Sequence, residues 1–462
     1  MDGERNSAPG EGAGKAREIE LRTEKMAFGG QALGRVNRFV VFVDDALPGE
    51  LVRARVYKKK KDFAFARAVE VLEASPDRVA PGCAWSGNCG GCSFRHCAYA
   101  AQLRLKREVL QEALHGVRGA AEAVADVVAS PETDDYRNKM VYTFGTGPDG
   151  ELRLGLHRRG SFMNILPAND CLLQSEASRE IVRRTLGMAA RLGIGAFHEI
   201  KKTPGLRTLM VREARATGQR MVELLATADY PGLPEAFSAA MEGLAETVYV
   251  SRDDNIQGSP TSSERRLVRG PGVLVEELNG LKFRIGPDTF FQSNTAQAAA
   301  LFRAVREEAA ADGWSPATAL DLFTGTGPIA LHLASVAERV YGVENWAPSV
   351  ASARKNAECN GIRNAEFLVA DVNKALPPGL PPRADLVVVD PPRPGLSLAA
   401  VDWILRMDPR RIVYVSCNPS TLARDLEWFA QKAPQYRVAS VRPFDLFPHT
   451  FHVETVARLD RA

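Results

Sequence analysis

The chain has no apolar run long enough to cross a membrane. A membrane-spanning helix needs about 20 consecutive apolar residues, and no segment of the 462-residue sequence approaches that length. The N-terminus, from Met1 to about Lys15, is rich in glycine, alanine, serine and charge and has no apolar signal-peptide core. We therefore expect a soluble cytoplasmic protein in which residues 1–17 form a disordered tail.

The chain also carries only a small excess of positive charge. The formal net charge of +3 is too low to identify a nucleic-acid partner by itself. Basic residues nevertheless cluster at residues 58–61, 158–159 and 201–202. Such clusters can neutralise RNA phosphates, although an isolated charged run is usually a solvated surface.

Cysteine is scarce and unevenly placed. The chain has seven cysteines, and a cytoplasmic location argues against a disulfide framework. Cys83, Cys89 and Cys92 form a Cys-x5-Cys-x2-Cys cluster, which indicates a metal site. Zinc and an iron–sulfur cluster both accept thiolate ligands, and the spacing alone does not separate them. Cys359, in a predicted helix, is expected to be a small core residue.

The N-terminal part alternates short apolar runs with glycine-rich turns. Over residues 18–74 this pattern predicts a small five-strand antiparallel β-barrel with an OB-like fold. Residues 75–280 have the pattern of a central α+β domain that carries the cysteine cluster. Within it, an amphipathic helix is predicted from Tyr99 to about His115, with lysine and arginine on its wet face.

Residues 281–462 alternate buried strands with helices. Four near-continuous apolar strands are predicted, at residues 318–323, 340–343, 386–390 and 412–416. Such strands are typical of a parallel, doubly wound, Rossmann-like sheet. The fold class is therefore α/β, with an N-terminal barrel, a central α+β domain and a C-terminal domain of this type. No internal repeat is present.

A glycine loop and acidic strand ends predict a cofactor site. The segment Asp321-Leu-Phe-Thr-Gly-Thr-Gly327 follows a buried strand and precedes a helix-forming run, so its backbone can approach a ligand closely. Glu344 ends the next strand, where it can accept hydrogen bonds from ribose hydroxyls, and Asp371 ends a third, where adenine would lie. The pattern favours S-adenosylmethionine over a dinucleotide.

One thiol is placed as a nucleophile. Cys417 lies in an Asn-Pro turn directly after a strand, where it can point into a cleft. A thiolate that adds to carbon 6 of uracil makes carbon 5 nucleophilic toward a sulfonium methyl group, and a base must then remove the carbon 5 proton. Glu454, in a late strand, is the predicted base, and Asp390 could hold a polar edge of the ring or the cofactor. Residues 290–294 offer two phenylalanine rings and an amide to clasp a base.

These residues together resemble the RNA uridine-5-methyltransferase family, specifically its ribosomal RNA branch. The resemblance extends from about Glu18 to the C-terminus. The motifs that carry it are Phe290-Phe-Gln292, Asp321-Leu-Phe-Thr-Gly-Thr-Gly327, Asp390-Pro-Pro-Arg393, Ser416-Cys-Asn-Pro419 and His452-Val-Glu454.

The resemblance implies a role for each matching residue. Cys417 would be the nucleophile and Glu454 the proton acceptor. The positions implied to bind the cofactor, or to lie between it and the uracil, are Gln292, Phe323, Glu344, Asp371 and Asp390. Two positions depart from the family pattern: Thr324 stands where relatives often carry cysteine, and Pro328 where they carry asparagine or threonine. Pro328 has no N–H to donate to a cofactor.

The resemblance also interprets the N-terminal half. It implies that the barrel is a TRAM domain, which binds RNA. It further implies that Cys83, Cys89, Cys92 and the distant Cys171 hold a [4Fe–4S] cluster, with Cys97 as an alternative ligand. No redox step occurs in the methylation, so the cluster is expected to be structural.

The leading hypothesis is a monomeric enzyme that methylates carbon 5 of one uridine in 23S ribosomal RNA, using S-adenosylmethionine. The target base would be flipped out to reach Cys417. Two alternatives are methylation of transfer RNA and a non-catalytic iron–sulfur protein that binds RNA.

Overall fold

The computed structural model describes residues 17–255, 257–374 and 379–462. The predicted tail falls almost entirely outside the described residues. A search of the described residues finds no helix long and apolar enough to cross a membrane.

The N-terminal part is a closed five-strand barrel, as predicted. Alternating side chains of each strand point inward, and Val41, Val43 and Val52 lie in the barrel core. One pair, β3 with β5, runs parallel, whereas all other neighbouring pairs are antiparallel. The strands are β1 (Glu18–Met26), β2 (Ala32–Val36), β3 (Phe39–Asp44), β4 (Leu51–Lys59) and β5 (Phe63–Glu73).

Helix α1 (Tyr99–Leu114) has the predicted bounds, but its environment differs from the prediction. Lys106 is not on a wet face: it is buried, and its Nζ contacts Asp445 Oδ1 at 2.5 Å. The apolar face packs Leu110 and Leu114 into the same core as Leu426 of the C-terminal part. The sequence pattern marks the helix as amphipathic but does not reveal that its partner lies more than 300 residues away.

The central part is built on a seven-stranded sheet of order β12-β11-β10-β9-β6-β7-β8. Two helices cover one face and share a core with the sheet. The bounds are β6 (Lys139–Thr146), β7 (Leu152–His157), β8 (Ile165–Pro167), α2 (Glu176–Leu192), β9 (Leu206–Glu213), β10 (Arg220–Ala226), α3 (Leu233–Ala240), β11 (Thr247–Arg252) and β12 (Glu264–Arg269).

A hairpin links the central and C-terminal parts. It consists of β13 (Leu274–Leu278) and β14 (Leu281–Ile285), paired antiparallel. The boundary predicted between residues 280 and 281 falls in its turn, and the predicted domain boundaries stay a prediction. Met210 of the central sheet and Phe291 of the C-terminal part lie in one continuous apolar core, so the two parts pack directly together.

The C-terminal part is a seven-stranded sheet of order β17-β16-β15-β18-β19-β21-β20. Strands β15 to β19 are parallel, and β21 and β20 extend the sheet antiparallel. The bounds are α4 (Thr295–Ala309), β15 (Thr318–Leu322), α5 (Pro328–Leu333), β16 (Arg339–Glu344), α6 (Ala347–Cys359), β17 (Ala365–Val369), β18 (Leu386–Val389), α7 (Leu398–Arg406), β19 (Arg411–Ser416), α8 (Pro419–Lys432), β20 (Tyr436–Phe444) and β21 (Glu454–Arg461).

Helices cover both faces of this sheet, which confirms the predicted doubly wound fold. Alternate residues of β18 enter opposite cores: Val388 packs with α4 and α5, and Val387 packs with α1, α7 and α8. One prediction is wrong here: Cys359, at the end of α6, is exposed and is not a core residue.

Candidate active site

The predicted site residues gather at one edge of the C-terminal sheet. The carboxyl ends of β15 to β19 share this edge because the strands are parallel. The antiparallel strand β21 brings its amino end, Glu454, to the same edge. Asp371 follows β17, which lies three strand positions from β18, the strand that leads to Asp390. Because neighbouring strands are about 4.8 Å apart, the two strands are about 14 Å apart, so the edge suits an elongated ligand.

The glycine loop after β15 is held by a buried carboxylate. Asp321 Oδ2 accepts hydrogen bonds from Thr324 Oγ1 at 2.5 Å and from the Ala330 amide at 2.9 Å. Phe323 has a φ of 65°, a costly conformation for a bulky residue. Gly327 has a φ of 88°, and a Cβ there would lie 3.1 Å from the Phe367 ring, so glycine is required.

Glu344 and Asp371 differ in how they are held. Glu344 Oε2 accepts from the Gly325 amide at 3.2 Å, and its Oε1 accepts from the Trp346 amide at 3.0 Å, so the carboxylate lies directly against the glycine loop. Asp371 Oδ1 accepts from the amide and side chain of Asn373, at 3.0 and 3.1 Å. It is thus ordered within its own turn.

Cys417 and Glu454 occupy facing positions. Ser416 of β19 pairs with Thr455 of β21 in antiparallel register, and Cys417 and Glu454 are the next residues on the two chains beyond that pair. Asn418 then caps α8: its side chain accepts from the Ser420 amide at 3.0 Å. The turn therefore presents the thiol directly after a buried strand, as predicted.

Burial raises the pKa of three ionisable groups at this edge, Cys417, Glu454 and Asp390. The pKa of Cys417 rises to about 11, because burial and the nearby Glu454 and Asp390 carboxylates disfavour the thiolate. The pKa of Glu454, which is 5% exposed, rises to about 8 through burial and repulsion from Asp390. Burial raises the pKa of Asp390 to about 7. The exposed Arg393 opposes the shifts of Cys417 and Glu454, so it lies near both.

The loop before α4 borders the same edge. Asn138 anchors it: the Asn138 side chain donates to the Gln292 carbonyl at 2.8 Å, and its amide donates to Ser293 O at 2.9 Å. Asn294 Nδ2 donates to Leu446 O at 3.2 Å, which ties the loop to the segment between β20 and β21. The Phe290 ring is 72% exposed, so its face is open to a ligand.

His449 connects the cysteine region to this edge, and sequence patterns did not indicate this role. Its carbonyl accepts from the amides of Ser93 and Phe94, both at 2.9 Å, and its own amide donates to Gln102 Oε1 at 2.9 Å. The ring Nδ1 is 3.1 Å from Gln102 Nε2. The segment that follows Cys92 thereby supports the loop that leads to Glu454.

The four predicted cluster ligands lie near one another. The Cys92 thiol is influenced by Cys171 and Cys89, and the Cys171 thiol by Cys89 and Cys83. Burial is the main cause of the raised pKa values of Cys89, Cys92 and Cys171. Cys97 is 2% exposed, and its Sγ contacts Ala98 O, so it packs in a core. Across residues 17–255, 257–374 and 379–462, no three His, Cys, Asp or Glu side chains are arranged as a metal-ion site.

Profiles of known families match three segments of the chain. A profile described as tRNA (Uracil-5-)-methyltransferase matches residues 383–462, and one for a methyltransferase domain matches residues 315–402. A TRAM-domain profile matches residues 12–69, the region of the barrel.

Several full-length relatives are similar throughout. An uncharacterized RNA methyltransferase of Caldanaerobacter subterraneus subsp. tengcongensis is 35% identical, covering 97% of this chain and all of that protein. Another from Gloeobacter violaceus is 37% identical over 95% of each. The crystal structure of Pyrococcus abyssi tRNA (uracil-54, C5)-methyltransferase in complex with S-adenosyl-L-homocysteine is 28% identical, with a TM-score of 0.75, covering 95% of this chain and 99% of that one.

Fold, profiles and relatives define an RNA methyltransferase with a TRAM domain. More narrowly, the chain belongs to the RNA uracil-5-methyltransferase family.

Proposed function

We propose that this protein transfers a methyl group from S-adenosylmethionine to carbon 5 of a uridine in RNA, through a covalent adduct with Cys417. The observation that carries the proposal is the facing position of Cys417 and Glu454, next to Asp390 at the ligand-binding edge. S-adenosylmethionine, when bound, supplies the electrophilic methyl group.

Cys417 acts in the first and the last step of the reaction. Its thiolate adds to carbon 6 of uracil, and the electron pair of the carbon 5–carbon 6 double bond moves toward carbon 5. Carbon 5 then forms the bond to the methyl carbon while the methyl–sulfur bond of the donor breaks, and the electron pair of that bond stays on the departing sulfur. Glu454 removes the remaining carbon 5 proton. The electrons of the broken C–H bond restore the double bond, and the Cys417 sulfur leaves carbon 6. Because the Glu454 side chain makes no hydrogen bond or salt bridge among the described residues, and only the charge of Arg393 favours its ionised form, its carboxylate is free to take this proton.

The glycine-loop edge would hold the cofactor. Glu344 and Asp371 fit the ribose and adenine ends, and Phe323, Asp390 and Gln292 lie on the loops that border the reacting end. Pro328 occupies the first turn of α5, a position that proline tolerates, and its lack of an N–H removes one donor from this edge. The buried Asp321 Oδ1 has no hydrogen-bond partner in the described part of the chain.

The cysteine region would hold a [4Fe–4S] cluster on Cys83, Cys89, Cys92 and Cys171. Four thiolates are the donor set that such a cluster takes, and these four thiols influence one another. The cluster would order the segment that supports His449, and no step of the methyl transfer passes through it.

For the substrate we propose 23S ribosomal RNA, on the basis of the motif resemblance, with a monomer as the active form. Transfer RNA is a second candidate, because the Pyrococcus abyssi tRNA enzyme matches 95% of this chain, barrel included. The N-terminal half therefore does not distinguish the two substrates.

The test uses purified protein, radiolabelled S-adenosylmethionine, and ribosomal and transfer RNA from cells that lack this enzyme. Nuclease digestion and mass spectrometry should find 5-methyluridine in 23S RNA. Cys417→Ala should abolish the product, whereas Cys359→Ala, which removes an exposed thiol, should not. Methylation of transfer RNA alone would transfer the assignment to the second candidate, and full activity of Cys417→Ala would overturn the mechanism.

A further inference from the structure

Two cationic side chains face each other beside the active-site loop. Lys139 of β6 pairs directly with Arg212 of β9 in antiparallel register, so both side chains lie on the same face of the central sheet. Arg212 is on the face of β9 that also carries Met210, which packs in the core shared with the C-terminal part. Like charges in directly opposite positions destabilise a sheet.

The guanidinium of Arg212 is left largely unsatisfied. The residue is 3% exposed, and among the described residues its Nε and Nη1 have no hydrogen-bond partner. Its Nη2 donates to the Thr289 carbonyl at 2.7 Å. Buried donors without partners are costly, and a buried cation is normally paired. The site therefore lacks an acceptor that carries negative charge.

The nearby Asp288 and Glu223 carboxylates attract both cations but make no hydrogen bond to Arg212, because their oxygens are bonded to Arg265. Asp288 accepts from Arg265 at 2.5 and 2.8 Å, and Glu223 accepts from Arg265 Nε at 2.8 Å and from Ser251 at 2.6 Å. Burial, together with repulsion from Arg212, lowers the pKa of Lys139 to about 8, and burial lowers that of Arg212 to about 10. Asp288 and Glu223 oppose both shifts without cancelling them, and Arg212 Nε and Nη1 stay without a hydrogen-bond acceptor among the described residues.

The position of Lys139 and Arg212 beside the active-site loop indicates which anion would bind them. Thr289, held by Arg212, immediately precedes the exposed Phe290, and Asn138, next to Lys139, anchors Gln292. We propose that Lys139 and Arg212 form an anion site that binds one phosphodiester of the RNA substrate beside the nucleotide entering the active site. The location next to the reacting nucleotide rests on the proposed function. The chemistry of the site rests on the two cations alone.

The test is RNA binding as a function of salt, which requires no turnover. Fluorescence anisotropy with a labelled oligouridylate would compare the wild-type protein with Lys139→Gln, a change at a partly exposed position. Loss of one phosphate contact should reduce the slope of the logarithm of the association constant against log [salt] by about 0.7 in magnitude. It should also weaken RNA binding at low salt. Arg212→Gln, if folded by circular dichroism, should do the same.

Two variants serve as controls. Lys432→Gln removes a cation at the far end of α8, about 20 Å from the active-site edge, and should keep the wild-type slope. Cys417→Ala should keep it too, so a failed methylation mechanism would not be mistaken for a failed anion site. An unchanged slope for Lys139→Gln would overturn the proposal.

Inorganic phosphate separates the two sources of the anion. Phosphate should raise the melting temperature of the wild-type protein more than that of Lys139→Gln. The variant without ligand should melt higher than wild type, because the repulsion is gone. If phosphate raises the melting temperature in this way but the salt dependence of RNA binding is unchanged in Lys139→Gln, the site binds free phosphate. That result would overturn the assignment to RNA.

Discussion

Cys417 and Glu454 stand opposite each other just beyond the last pair of an antiparallel ladder, Ser416 with Thr455. A ladder of this kind fixes the two strands in register, so the separation of the proposed nucleophile and the proposed base depends on backbone hydrogen bonds more than on loop conformation. Both groups carry a negative charge when they act, and a charge on one raises the free energy of ionising the other. Their protonation is therefore the most sensitive property of the site.

Replacement of Glu454 by glutamine should stop the reaction after methyl transfer. The variant can still form the Cys417 adduct but lacks the carboxylate that removes the carbon 5 proton, so turnover should fall by about 10²- to 10⁴-fold. A protein–RNA band should accumulate on a denaturing gel. Glu366→Gln, at an exposed position of β17, should show no such band. Fast turnover by Glu454→Gln would assign the base elsewhere.

The rate should rise with pH across the neutral range. Cys417 must lose a proton from a group with a pKa of about 11, and Glu454 from one with a pKa of about 8. The logarithm of kcat/KM, which reports the steps through methyl transfer, should therefore climb with a slope of about 1 as Cys417 ionises, and ionisation of Glu454 should appear in kcat, because the base acts after that step. In Glu454→Gln the slope for adduct formation should be about 1 throughout. A flat or falling profile would contradict this order of ionisation.

The same carboxyl group should make the fold less stable as pH rises. Between its unfolded pKa of about 4.3 and its folded pKa of about 8, Glu454 binds a proton in the folded state and none in the unfolded state. Stability from this group is thus full at low pH and is lost as pH rises through that window. Glu454→Gln should gain melting temperature relative to wild type at alkaline pH, and less so near pH 5. An equal difference in melting temperature at both pH values would show that the pKa of the Glu454 carboxyl is not raised.

Single cysteine replacements should separate ligands from packing residues. Cys171→Ser is expected to lower the iron and sulfide content of anaerobically purified protein and its visible absorption, because one of four thiolates is lost. Cys97→Ser should retain the iron, since that thiol packs in a core with Met26 and Leu105. Stoichiometric zinc in the wild-type protein, with no sulfide, would favour the other metal that the spacing allows.

Much of the architecture could be predicted because its signals are local. Strand periodicity marked the barrel and the parallel sheet, and the Asn-Pro turn after β19 marked Cys417. Chemistry also helped: a nucleophile and a base both follow from the reaction, so a late glutamate could be selected before its position was known.

The remaining features depend on contacts between distant segments. No sequence pattern around Lys106 indicates that its partner is Asp445, and the position of Lys106 in the helix fits a solvent-exposed face equally well. Likewise, Lys139 and Arg212 become neighbours only through the register of β6 and β9. Cys359 was misplaced for a similar reason, because the last turn of α6 could be buried or open depending on what packs beside it.

Strand order in the C-terminal sheet has a consequence for assembly. β20 precedes β21 in the chain but lies outside it, and among the named strands of the described residues it neighbours β21 alone. β20 hydrogen bonds to residues 123–128 along its other edge, and β21, inserted between β19 and β20, is the strand that joins it to the sheet. The insertion that brings Glu454 to Cys417 therefore also completes the sheet, so the carboxyl and the thiol come together only where all seven strands are in place.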